Sequence, residues 1–271
     1  MVEVKYIDDL NMVSEILVGQ PFDEKTQRYR SSYLYRGLSN EDYKLETSLK
    51  RNCKHLQYDL ELSVLRNFSK YAVLEDNSLY SSIWKQMMVG QHHSLPTRLL
   101  DWTYSPLMAF HFSVSENDLS NLDKHNSVIW RIDINEINSL LPQKYQDKLK
   151  EENAYLFTVD MLDEVSKSIS EYDNSMNGKA TVLIEPPSID PRIINQYSYF
   201  SIIPKNMENI EEFLEQNTND TVKYIISKDL RWQIRDMLDQ MNINERIVYP
   251  GLDGLSQWLK RHYYVSDRIN K

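Results

Sequence analysis

Cysteine is almost absent from this chain: Cys53 stands alone among 271 residues. A single thiol cannot build a disulfide framework or a thiolate metal cluster within the chain, and it lacks the His or Asn signature of a cysteine nucleophile. It therefore reads as an idle or buried side chain. Glycine is nearly as scarce, with six residues. None falls in a G-x-G-x-x-G or G-x-x-x-x-G-K-[ST] pattern, which excludes the usual backbone cradles for dinucleotides and nucleoside triphosphates. Any phosphate must be held by side chains. No apolar run approaches the roughly 20 residues that a bilayer span requires, and the opening MVEVKYIDDL is acidic, unlike a basic leader. The expected location is the cytoplasm, and a membrane is not an expected partner. Positive charge is also in deficit: 31 Lys and Arg face 40 Asp and Glu, a formal net charge of -9. That argues against a sequence-blind nucleic-acid binder while leaving room for one basic pocket.

What is present is a large core. Hydrophobic residues make up 41% of the chain, with eighteen tyrosines and five tryptophans, so disorder does not describe it. Its length suits one domain with elaborations, residues 1–271, with a helical lead over 1–30 and a helical C-terminal part over 205–271 packed on it. The spacing predicts a helix over 10–17, a polar loop over 19–31, then the strand SYLYRG with Tyr33 and Tyr35 on one side and Leu34 and Arg36 on the other. Apolar residues at three- and four-residue steps predict a helix over 56–74, and another over 83–89 stopping at Gly90. TRLLDW (97–102) reads as a short buried strand, and Ser105-Pro106 as a helix start with Ser as N-cap. Residues 127–134, 180–186, 199–204 and 222–227 have strand composition. Helical segments lie between the first two, and two more helices close the chain, one capped by Asp229 and one near 255–263. No repeat appears. A strand-rich centre flanked by helices, without regular βαβ alternation, predicts an α+β fold with a central, mostly antiparallel sheet.

The stretch GQHHSLPTRLLDWTYSPLMAFHF, beginning at Gly90, concentrates the chemistry. Adjacent histidines on an extended segment point to opposite faces, so His92 and His93 do not suit one ion. The others, at 55, 111, 125 and 262, lack zinc-motif spacing, and no metal site is expected. Arg98 and Asp101 sit three apart among Leu99, Leu100 and Trp102. They read either as a structural ion pair or, with Gln91, Thr97 and both histidines nearby, as polar groups converging in an apolar-walled pocket. Arg36, ending a strand before Gly37, can offer a bidentate fork to a carboxylate or diphosphate, or pair with a protein acid. No G-x-S-x-G elbow supports a serine nucleophile.

YRG at 35–37, the stretch from Gly90, PPSIDPRIINQYSYFSIIP at 186–204 and YPGLDGLSQWL at 249–259 together resemble the FRG domain family of bacterial and phage-associated proteins, with Tyr35 where the family's name has phenylalanine. The layout is also similar to that of ADP-ribosyltransferases: Arg36 ends the first core strand, TRLLDWTYSPLMAF leads from strand to helix, and Gln196 or Glu185 lies on a later strand. This resemblance implies an ADP-ribosyltransferase-like fold acting on NAD in a toxin or phage-defence setting. It implies catalytic roles for Arg36, His92, Arg98 and Asp101: the arginines on phosphate or ribose, His92 in positioning or proton transfer, Asp101 as the carboxylate facing the ribose. Tyr35, Gly37, Gln91, His93, Thr97 and Gln196 would line the ligand. The implied partners are a nucleotide ligand, a protein or nucleic-acid acceptor, and an inhibitory protein. A clear glutamate ahead of a target-recognition loop is missing. Two other readings stand beside this one: a non-catalytic binding module, and a metal-independent nuclease using His92 or His93.

Overall fold

Short apolar strands build the centre of the molecule. The computed structural model describes residues 1–266 apart from 73 and 189. Its strands are β1 (Glu3–Ile7), β2 (Phe22–Asp23), β3 (Arg28–Tyr29), β4 (Tyr33–Leu38), β5 (Leu99–Thr103), β6 (Ser127–Asp133), β7 (Val182–Ile184), β8 (Ser198–Ile202) and β9 (Val222–Ile226). Seven form one sheet in the order β1-β9-β6-β4-β5-β8-β7, and β2 pairs with β3 as a separate hairpin. Within the sheet only β1 and β9 run parallel. The fold is α+β with a mostly antiparallel sheet, as the strand composition predicts.

The helices are α1 (Leu10–Val18), α2 (Ser48–Cys53), α3 (Gln57–Ala72), α4 (Ile83–His92), α5 (Pro106–Ser113), α6 (Ile134–Ser139), α7 (Gln143–Glu151), α8 (Val159–Val165) and α9 (Ile169–Met176), followed by α10 (Pro191–Gln196), α11 (Ile210–Asn217), α12 (Arg231–Gln240), α13 (Glu245–Val248) and α14 (Leu252–His262). They cover both faces of the sheet, so central strands such as β6 are buried on both sides and read as continuous apolar runs. One face carries a single core, in which Leu34, Leu100, Trp102, Val128, Trp130 and Ile132 pack against α6 and α11. The opposite face carries two. Tyr35, Ile129 and Tyr224 pack under α1, α5 and α12, while Leu99, Phe200 and Ile202 pack under α3, α4 and α7 to α9.

Those two cores divide the sheet between β4 and β5. β4 shares six residue pairs with β6, and β5 shares five with β8, but β4 and β5 share only Tyr35 with Thr103. Past that pair the strands part, and the sheet has a seam.

Several elements differ from expectation for identifiable reasons. Residues 3–7 form β1, an edge strand in which only Ile7 is buried; Val2, Val4 and Tyr6 alternate with Glu3 and Lys5, a period-two signal missed from sequence. The expected loop over 19–31 contains the β2–β3 hairpin. Gly90 does not end α4, which runs on to His92. Instead the chain folds back, Leu95 N–H donates to the Gly90 carbonyl at 2.8 Å, and a Cβ on Gly90 would lie 2.6 Å from the Leu95 side chain. The left-handed residue is Ser94, at φ 65. His92 and His93 therefore sit at a helix end with rings edge to face, not on an extended segment. Asp229 is not a cap; Ser227 caps the 3-10 turn that precedes α12. α5 begins as read, with Ser105 Oγ accepting from Met108 N–H and Pro106 at its first position. Among the described residues no helix is long and apolar enough to cross a membrane.

Candidate functional site

A cavity of about 780 Å³ opens at the seam. Its walls come from both sides: Tyr35 to Leu38 of β4 with the following 39–46 loop, and Asp101 to Thr103 of β5 with Arg192 and Gln196 of α10. Phe112 of α5 and Arg51 of α2 complete it. Four basic residues line it (Arg36, Lys44, Arg51, Arg192) against three acidic ones (Asp42, Glu46, Asp101), reversing the acidic balance of the whole chain.

Arg36 crosses the seam. Its Nη1 donates to the Asp101 backbone carbonyl at 2.7 Å and to Asp101 Oδ2 at 3.3 Å, where the ladder has no β4 N–H to offer. The side chain is 15% exposed, and its Nε–H has no acceptor among the described residues. Burial lowers the guanidinium pKa, Asp101 partly restores it, and Arg51 lowers it again. This cation is thus less than fully compensated. Gly37, next in the strand, faces α5: a Cβ there would run into the Ala109 carbonyl oxygen and lie 2.7 Å from Ser113 N. Glycine is needed for helix approach, whatever else occupies the cavity. Tyr35 lies beside them, its hydroxyl pushed up to about 12 by burial.

Asp101 is the one exposed residue of β5. Behind it stands Gln91, at the end of α4, whose Nε2 donates to both carboxylate oxygens at 3.1 Å. Thr97 Oγ1 lies 2.6 Å from Gln91 Oε1. Gln91 therefore contacts Asp101 from outside the cavity, with Thr97 behind Gln91, and neither lines it.

Arg98 does something else. It is buried, Nε donating to Glu61 Oε1 at 2.7 Å and Nη1 to Asp173 Oδ1 at 2.6 Å, with a further ion pair from Nη2 to Glu61. Burial works against the charge, but the two carboxylates outweigh it and hold the pKa above the ordinary value. The structure thus separates Arg98 from Arg36 and Asp101: its role is a structural ion pair, but with Glu61 and Asp173 and not, as the three-residue spacing suggests, with Asp101. His92 is also outside the cavity. Its Nε2 lies 3.4 Å from Asp190 Oδ2, and burial lowers its pKa despite that carboxylate. His93 is exposed at the end of α4. Gln196 lines the cavity, but its Nε2 donates to the Val248 carbonyl at 3.1 Å. Glu185, just past β7, does not line it.

Lys44, Arg51, Tyr43, Phe112 and Arg192 were missed from sequence. Arg192 carried a signal: in Asp190-Pro191-Arg192 the aspartate caps α10 and proline takes its first position, which fixes where the arginine emerges. Its guanidinium lies over the Tyr249 ring at 5.1 Å, so the YPGLDG segment supports the cavity from behind. Glu61 was also legible, since Glu61, Leu65 and Ser69 form the buried stripe of α3 at four-residue steps. Among the described residues no group of three or more His, Cys, Asp or Glu is placed to hold a metal.

The family model of the FRG domain matches residues 31–121. An FRG domain is therefore present, and it supplies Arg36, Gly37, Asp101 and Phe112 to the cavity, whereas Arg192 and Gln196 come from beyond the matched span. No curated protein and no solved structure matches the chain.

Proposed function

We propose that the seam cavity binds NAD and transfers its ADP-ribose to a macromolecular acceptor. The observation that carries this reading is Arg36, an incompletely compensated guanidinium in a cavity of about 780 Å³ lined by three further cations and by Tyr35, Tyr43, Trp102 and Phe112. The volume is within the roughly 300–1,000 Å³ of small-molecule sites. Arginine forks suit a diphosphate, and aromatic walls suit a base or nicotinamide ring. Arg36 and Arg192 would hold the anion, the role that Arg98, committed to Glu61 and Asp173, cannot serve.

In the transfer, the bond from ribose C1′ to the nicotinamide nitrogen breaks, its electron pair stays on that nitrogen, and neutral nicotinamide leaves. The positive charge that develops at C1′ faces the Asp101 carboxylate. A lone pair of the acceptor forms the new bond to C1′, and the acceptor's proton passes to Asp101 or to water. The nuclease reading fits less well, because neither His92 nor His93 lines the cavity. The binding-module reading keeps the same cavity without turnover, and the pairing of Asp101 with Arg36 is the observation in its favour.

Thermal-shift titration with NAD, ADP-ribose and a short RNA, on the wild type and on Arg36→Ala, tests the proposal. The expected result is a concentration-dependent rise with NAD and ADP-ribose, no rise with RNA, and loss of the response in the variant. Absence of any nucleotide response, or one that survives in Arg36→Ala, refutes it. Release of nicotinamide from bound NAD separates the enzyme from the binding module.

A further inference from the structure

We infer that Gln91, oriented by Thr97, positions the Asp101 carboxylate for its part in the chemistry, an assignment that rests on the transfer reading of the cavity. Thr97 Oγ1 accepts from Leu99 N–H at 3.1 Å, which leaves its own proton free to donate, and Gln91 Oε1 lies 2.6 Å away. The hydroxyl of Ser48 holds the same segment, accepting from Thr97 N–H at 3.0 Å with the Thr97 carbonyl as its nearer acceptor at 3.3 Å, and its oxygen lies 3.5 Å from Gln91 Oε1. The amide oxygen of Gln91 therefore faces two hydroxyls, and its NH₂ must face Asp101, where it lies 3.1 Å from both oxygens. The opposite orientation would set the amide oxygen against a carboxylate, acceptor against acceptor.

Thr97 is buried, and Ser48 and Gln91 are partly so, while the Asp101 side chain is 53% exposed. An exposed carboxylate on its own would sample several rotamers. Between Arg36 Nη1 on one side and the Gln91 amide on the other it is confined, with one oxygen shared between both donors and the other facing Gln91 alone. This gives the glutamine directly after Gly90 and the threonine after Pro96 one shared role. The helix end and the fold-back at Ser94 bring the two together.

The first test does not depend on turnover. In side-chain ¹⁵N NMR of the intact chain, the Gln91 NH₂ resonances should move in Asp101→Ala and stay in place in the control His93→Ala. No such response overturns the inference, whatever the protein does to NAD. The second test uses NAD and ADP-ribose as probes. Gln91→Leu should lower kcat for nicotinamide release about tenfold to a hundredfold, the scale of one hydrogen bond to a charged group, with ADP-ribose affinity held within about threefold. Thr97→Val should behave alike and Thr97→Ser should restore the rate. An unchanged kcat, or a loss of affinity matching the loss of kcat, overturns the positioning role. If the NMR coupling is present and the wild type leaves NAD intact, the positioning stands and the transfer reading falls.

Discussion

Replacing Arg98 by methionine should unfold this protein more readily without touching its cavity. The guanidinium is held by Glu61 and Asp173, whose side chains are 4% and 14% exposed, so its removal strands two carboxylates in the interior. Breaking a buried pair at one partner costs about 3–5 kcal/mol, and two orphaned acids place the expectation near the top of that range. At about 2–4 °C per kcal/mol for a chain approaching this size, Arg98→Met should lower Tm by about 10–20 °C. Circular-dichroism melts at fixed pH and salt measure this. A second variant, Arg98→Met with Glu61→Leu and Asp173→Asn, should recover most of the loss, since a buried ion network replaced by apolar groups is often neutral. The asparagine keeps an oxygen for Lys205 N–H, which donates to Asp173 Oδ1 at 2.9 Å. A Tm change below about 3 °C together with lost ADP-ribose binding would refute the reasoning and return Arg98 to the ligand.

Two further outcomes are expected. Gly37→Ala should cost at least about 1–3 kcal/mol, because the new methyl meets helix backbone on two sides and not a side chain that can turn away; urea titration reads it, and a cost below 0.5 kcal/mol would mean that α5 shifts freely. His111 is buried against Arg235, and burial first and that cation second depress its pKa from 6.5 to about 3. The folded state thus keeps this histidine neutral while the unfolded chain takes up a proton below pH 6.5. Its contribution to stability is intact above that pH and falls by about 2 kcal/mol by pH 5. His111→Gln should remove that component, and identical pH profiles for the two proteins would count against it.

Much of the fold was legible because the sheet is buried on both faces. VIW, VLI and YII are short apolar runs of the kind that strands of a covered sheet require, and Ser105-Pro106 marked α5 to the residue. β1 escaped although Val2, Val4 and Tyr6 alternate with Glu3 and Lys5, because the run is short and Val4 and Tyr6 stay exposed at the sheet edge. The site was half legible. Of the four residues expected to converge, Arg36 and Asp101 come together and His92 and Arg98 do not; a cation at a strand end and an acid in an apolar strand are conspicuous. Arg98 misled for the same reason: its partners lie 37 and 75 residues away, and nothing local distinguishes a charge that is neutralised from one that is offered. Gly90 was read as a helix stop because glycine suits helix ends, but the residue it accommodates, Leu95, lies beyond the end.

With one residue pair between β4 and β5, the sheet has little lateral cohesion along that line, and its two halves behave as plates joined at an edge. What fastens them there is the Arg36 guanidinium on the Asp101 carbonyl and the core that runs beneath both halves. A molecule gripping Arg36 from one plate and Arg192 from the other would act as a clasp. Because it binds only the joined arrangement, it would stabilise that arrangement by mass action.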